Sequence, residues 1–131
     1  MSPFVLDASA GVEILLDTLV GRSIEAKLPR RRAWWVPEHY YLEVASVLRR
    51  VEARGLTPAA RVADAFTKLG AAEMHRVQLR PLLGPAWTKR GHLTIGDAFY
   101  VVLAEQLGAT LVTGDINLAR SPGLTVPTIT P

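Results

Sequence analysis

Short apolar segments, each too brief to make a helix, alternate along this chain with longer stretches of helical periodicity. Phe4-Val5-Leu6, Ala33 to Val36, Met74 to Leu79 and Thr110 to Thr113 read as strands, with one more around Thr125-Val126. Between them lie a helix that Ser9 caps, carrying Val12, Leu15, Leu16 and Leu19 at helical spacing, and a weaker one from Gly21 to Leu28. A strong helix from Glu38 to Arg54 is stopped by Gly55. The next starts at Thr57-Pro58, runs to about Leu69 and ends at Gly70. A short helix over Pro81 to Lys89 and one from Thr94 to Leu107, terminated by Gly108, complete the series. Strands separated by helices cannot pair as hairpins, so the expected fold is α/β, a mainly parallel sheet with helices on both faces. No repeat, low-complexity tract or long linker divides the chain, which reads as one domain over residues 1–131.

Apolar residues make up 49% of the chain and charged ones 21%, enough for an ordinary core. The absence of cysteine excludes disulfides, thiolate metal sites and a cysteine nucleophile, and suits a reducing cytoplasm. Met1-Ser2-Pro3 leads straight into Phe4-Val5-Leu6-Asp7, with no basic region and no sustained apolar stretch, so no signal peptide is expected. The longest apolar run, Ala98 to Ala104, is far short of the roughly 20 residues that span a membrane. The net charge is +3 and the pI near 9.7, with clusters at Arg30-Arg31-Arg32, Arg49-Arg50 and Lys89-Arg90. Such an excess suits a nucleic acid, and equally a solvated surface or an acidic protein partner.

Four acids stand out against this pattern. Asp7 and Asp115 each follow a short apolar strand, and in a parallel sheet all strand C-termini lie along one edge, where ligand sites form. Taken singly, each also reads as a cap or turn acid. Glu43 lies at the border of the apolar stripe formed by Tyr40, Val44, Val47, Leu48 and Val51, a position that also suits a solvated glutamate or one paired with Arg50. Asp97 occupies the first turn of a helix that is apolar nearly all round and must therefore be central. A carboxylate there is costly unless it is paired or bound to a metal. The rival account is a capping box over Thr94-Ile95-Gly96-Asp97, and the two roles are compatible.

Carboxylates that converge on one cleft repel, and at neutral pH they need protons or a cation. An all-oxygen set suits Mg²⁺ or Mn²⁺. Zinc does not fit: cysteine is absent and His39, His75 and His92 are scattered, each reading as a surface or packing residue. A hard dication among carboxylates supports phosphodiester hydrolysis, with arginines around it to hold a nucleic-acid backbone.

The segments that carry these acids resemble the motifs of a known family. Phe4-Val5-Leu6-Asp7-Ala8-Ser9 is similar to the opening D-x-S motif of PIN domains, and Glu38 to Arg50 to their second motif with its helix-borne glutamate. Thr94-Ile95-Gly96-Asp97-Ala98-Phe99-Tyr100 resembles the third, T-x-x-D-A-x-Y. Leu111-Val112-Thr113-Gly114-Asp115 resembles the fourth, followed by Pro122-Gly123-Leu124 as in VapC toxins. The resemblance implies a PIN-like three-layer α/β/α sandwich and a Mg²⁺- or Mn²⁺-dependent endoribonuclease. It also implies a homodimer inhibited by a VapB-like antitoxin. It makes Asp7, Glu43 and Asp97 the core metal-binding acids and Asp115 the fourth, supported by Ser9, Thr113 and Asn117. Gly96 departs from the bulkier residue common in relatives and is expected to loosen the helix start by about 1 kcal/mol.

Two other functions compete with this one. Asp7-Ala8-Ser9 after a strand faintly resembles haloacid-dehalogenase phosphotransferases, but Ser9 stands where their second Asp belongs and no lysine motif is evident. A non-catalytic binder of RNA or protein would use the same acids only as caps and ion pairs. Trp34-Trp35 suits core packing, or a partner groove.

Overall fold

The computed structural model describes residues 2–131. Strands β1 (Ser2–Leu6), β2 (Arg32–Pro37), β3 (His75–Val77), β4 (Thr110–Val112) and β5 (Thr128–Ile129) form one sheet in the order β3-β2-β1-β4-β5, with every pairing parallel. Helices α1 (Ala8–Leu15) and α2 (Leu19–Ala26) join β1 to β2, and α3 (His39–Ala53) and α4 (Ala59–Ala71) join β2 to β3. A 3₁₀ turn (Arg80–Leu82), α5 (Leu83–Trp87) and α6 (Ile95–Leu107) lead to β4, and α7 (Ile116–Ala119) precedes β5.

The chain walks from β1 to β3 in one direction and then returns to the far side of β1. Right-handed crossovers therefore place α1 to α4 on one face and α5 and α6 on the other. The packing agrees: α1 touches α2, α3 and α4, while α6 lies on β1, β2 and β4. The result is the three-layer α/β/α sandwich expected from the sequence. With both faces covered, the central strands are continuously apolar, and Val5, Leu6, Val36, Leu111 and Val112 are buried. Register sets Val5 between Trp35 and Leu111. All seven residues from Ala98 to Ala104 of α6 are buried, as its sequence required.

Several boundaries differ from the sequence reading for local reasons. Ser9 is not the cap of α1. Asp7 takes that role, because its extended backbone lets the carboxylate accept from Ala10 N at 3.0 Å. The second helix starts before Gly21, at Leu19, with Thr18 as its cap. Gly21 is instead the close contact of α2 with α1, where a Cβ would fall on the Glu13 carbonyl. Gly70 does not end α4, which continues to Ala71 and stops where Ala72 turns extended. The last strand lies at Thr128–Ile129 rather than around Thr125-Val126. Pairing begins at the Pro127 carbonyl, which accepts from Leu111 N at 2.9 Å. Trp34 and Trp35 are half-buried against the core, Trp34 edge-on to Phe4 and Trp35 stacked on His75 at 4.4 Å.

These contacts make opposite demands on two helical glycines. Gly21→Ala forces α1 and α2 apart and is expected to lower stability by roughly 1–3 kcal/mol. A Cβ at Gly70 meets nothing within 4 Å, so Gly70→Ala is expected to stabilise α4 by about 0.5–1 kcal/mol. Thermal or denaturant unfolding of the two variants checks both signs.

Candidate active site

Strand order reverses between β1 and β4, and the crevice outside their C-terminal ends is where an open parallel sheet binds ligands. Asp7 follows the last residue of β1, and Asp115 lies three residues beyond β4. Helices of such a sheet run back against the strands, so their first turns face the same edge. Glu43 in the second turn of α3 and Asp97 in the first turn of α6 arrive there for that reason. All four acids line one cleft of 390 Å³, together with Ser9, Arg50 and Tyr100.

Asp7 is the most enclosed of the four, with 3% of its surface exposed. Burial pushes its carboxyl pKa up to about 6, against the pull of the Ala10 N–H and the Thr113 and Ser9 hydroxyls, with a small further push from Asp97. Ser9 Oγ donates to Asp7 Oδ1 at 2.7 Å and accepts from Gly114 N at 2.9 Å. Thr113, fully buried, lies 3.3 Å from Ser9 Oγ and accepts from Asp115 N at 3.0 Å. The two hydroxyls thus stitch the end of β1 to the turn after β4. Asp115 caps α7, its Oδ1 accepting from Asn117 N at 2.9 Å and Leu118 N at 3.2 Å. Asn117 serves Asp115 through its backbone N–H rather than its side chain.

Glu43 is held by neighbours that the sequence reading did not assign to the site. Tyr100 Oη donates to Glu43 Oε1 at 2.6 Å, joining a helix of one layer to a helix of the other. Burial, with the Glu43 carboxylate beside it, keeps the proton on that phenol well above the usual tyrosine range. His39 Nε2 lies 3.4 Å from the same oxygen and 3.0 Å from the Gly96 carbonyl, and its ring rests on Phe99 and Tyr100. His39 is a packing residue, as expected, but it packs beneath the site. Arg50 lines the cleft without pairing to Glu43 or to any other acid among the described residues. A Cβ on Gly96 would stand 2.9 Å from Glu43 Oε2. The glycine that looked like a weak helix start is thus the space into which Glu43 fits. Tyr100 was legible, since it lies one helical turn after Asp97 and shares its face.

Asp97 is half-buried, and its backbone N–H donates to Thr94 Oγ1 at 3.2 Å, the first half of the expected capping box. Burial raises its carboxyl pKa. The Thr94 hydroxyl opposes this, while Asp115 and Glu43 add to it. Among the described residues no three acids or histidines stand close enough to form a ready ligand cage. The four carboxylates share a cleft and stay apart in it, as like charges do. Glu43 and Asp115 each commit one oxygen to protein donors and keep the other free. The donor set is oxygen only, and two of its carboxyls are raised by burial, so a hard divalent cation fits it chemically.

Residues 4–124 match the family model for the PIN domain. The chain is 38% identical to Ribonuclease VapC3 of Mycobacterium tuberculosis over 89% of this chain and 85% of that one. It is 34% identical to Ribonuclease VapC12 of the same organism, over 91% and 92%. The crystal structure of VapBC2 from Rickettsia felis, bound to a DNA fragment from their promoter, matches with a TM-score of 0.65 at 12% identity. That match covers 97% of this chain and 98% of that one. It shows a shared fold.

Two stability measurements test this geometry. The folded pKa of Asp7, about 6, lies above its ordinary 3.8, so the native state holds the proton more tightly than the unfolded chain. Stability then falls as pH rises between these values, and above about 6 the ionised carboxylate costs the metal-free fold roughly 3 kcal/mol. Asp7→Asn keeps both acceptor contacts and is expected to raise the melting temperature at pH 7.5, with the gain vanishing near pH 4. Tyr100→Phe and Glu43→Gln are expected to couple by about 1–3 kcal/mol in a double-mutant cycle of denaturant unfolding.

Proposed function

The chain belongs to the PIN-domain family, and from that premise we propose that it is a divalent-metal-dependent endoribonuclease, the toxin of a VapBC-type pair. The observation that carries this reading is the meeting of Asp7, Glu43, Asp97 and Asp115, from four separate elements, in one cleft at the strand-order reversal. Caps alone do not account for it, because burial raises the Asp7 and Asp97 carboxyls, a cost that a cation offsets.

In this reading Asp7, Glu43 and Asp97 hold Mg²⁺ or Mn²⁺, with Asp115 as the fourth acid. Held by these carboxylates, such a cation would supply Lewis-acid chemistry for phosphodiester hydrolysis. The protein's own groups prepare the site. Ser9 and Thr113 fix the Asp7 carboxylate between two strands. Tyr100 occupies Glu43 Oε1, and Gly96 leaves room for Oε2. Arg50 at the cleft margin attracts the RNA backbone that the acids alone would repel. Cation binding needs Asp7 ionised, so affinity falls as pH drops through about 6.

Residues 1–131 act as one PIN domain, in the cytoplasm where the RNA is, as a homodimer restrained by a VapB-like antitoxin. The support for these assignments is the likeness to VapC ribonucleases and the net positive charge. No helix among the described residues is long and apolar enough to cross a membrane.

The test is direct. Purified protein should cut RNA with Mg²⁺ or Mn²⁺ and stop with chelator. Asp97→Asn should lose activity by on the order of 100-fold or more while keeping its circular dichroism. Cleavage without metal, or full activity in Asp97→Asn, contradicts the proposal.

A further inference from the structure

The acid cleft continues past Asp97 and Asp115. Beyond them opens a second cavity of 380 Å³, walled by His92, Thr94, Asn117, Arg120 and Ser121, with Asp97 and Asp115 shared between the two. That volume lies in the range of small-ligand sites, about 300–1,000 Å³. We infer that this second cavity is a nucleotide subsite, which takes the nucleotide next to the cut and selects the RNA sequence. The inference rests on the ribonuclease reading above and assigns the specificity of that same site.

Electrostatics gives the first reason. A polyanion crossing a row of carboxylates must be held by cations on either side of it. Arg50 lines the acid cleft and not the second cavity, and Arg120 lines the second cavity and not the acid cleft. Both are exposed, and among the described residues neither has an ion-pair partner. The protein's acids do not satisfy these two guanidiniums, which remain available to phosphates.

The second reason is the difference between the two cavities. Beside Arg50 the wall is Leu42, Ser46 and Val47, and of these three only the Ser46 hydroxyl offers a base a hydrogen bond. The second cavity carries a carboxamide and an imidazole. The Asn117 side chain is exposed and makes no hydrogen bond among those described, since its contact with Asp115 uses the backbone. A free carboxamide presents both a donor and an acceptor, as reading a base edge requires. The exposed ring of His92 offers a face for base stacking.

The third reason is that the wall is built. The turn from Ser121 to Leu124 is closed by Leu124 N to Ser121 O at 3.0 Å and Gly123 N to Ser121 Oγ at 3.2 Å. Its Gly123 lies so close to His92 that a Cβ would stand 2.7 Å from the His92 Cβ. The turn after α7 is thereby pressed onto His92 and holds the far side of the cavity in place.

The test uses the full chain with Mn²⁺ and a pool of short randomised single-stranded RNAs, reading rates and the bases flanking each cut. Arg120→Ala should raise KM about tenfold with kcat unchanged. It should also reduce the slope of log affinity against log salt by about 0.7. Asn117→Ala should flatten the base preference at one position beside the cut, by about 5- to 100-fold. Wild-type KM, salt slope and base profile in both variants overturn the subsite. Unchanged RNA kinetics with lost antitoxin inhibition overturns it too, assigning the cavity to the protein partner. If the wild-type chain cuts no RNA, the ribonuclease reading fails separately. Fluorescence anisotropy of labelled oligouridylate and oligoadenylate then decides the subsite. Weaker binding by Arg120→Ala supports it, and equal binding overturns it.

Discussion

Asp7 sits where β1 meets β4 with almost none of its surface exposed, and the desolvation of its carboxyl is the constraint around which the neighbouring structure is arranged. A backbone N–H and two hydroxyls are turned toward it, yet its pKa remains raised. The same donors that soften its burial also bind the two central strands to each other and to the turn that carries Asp115. Local satisfaction of one acid and the placement of another are therefore a single arrangement. The cost that remains is the one that the proposed divalent cation would offset.

The two helices that bring the other acids are placed by apolar packing. Helix α6 is buried over seven consecutive residues and lies across three strands, so its first turn can only emerge at the sheet edge. Asp97 is delivered to the cleft by that requirement. Helix α3 buries Tyr40, Val44 and Leu48, which leaves Glu43 at the border between core and cleft. The Tyr100–Glu43 hydrogen bond then links the two layers through the site itself. A change in how either helix seats would move a carboxylate, which couples the stability of the fold to the geometry of the cleft.

Much of this was legible in the residues. Phe4-Val5-Leu6, the all-apolar run of α6 and the Gly108 that ends it admit few interpretations, because buried parallel strands and central helices leave strong patterns. The four acids were also legible, Asp7, Asp97 and Asp115 because they interrupt those patterns at element ends and Glu43 because it borders the apolar stripe of α3. Other features were hidden because they depend on partners far along the chain. Ser9 looked like a cap, but the backbone of Asp7 gave that place to the acid. His39 looked like a bystander until α6 was laid against it. Gly96 looked like a flaw until Glu43 occupied the space that a side chain would fill.

By itself, the amino-acid sequence determined the class of the fold, the order of its strands and helices along the chain, and where along them the four carboxylates stand. Periodicity and capping are local, and they act on neighbouring residues without reference to the rest of the chain. Tertiary structure alone decided how near those acids come and which donors hold them. It also decided that the acid cleft opens past Asp97 and Asp115 into a second cavity. Those outcomes depend on distances between elements tens of residues apart, and only close packing of the three layers sets such distances.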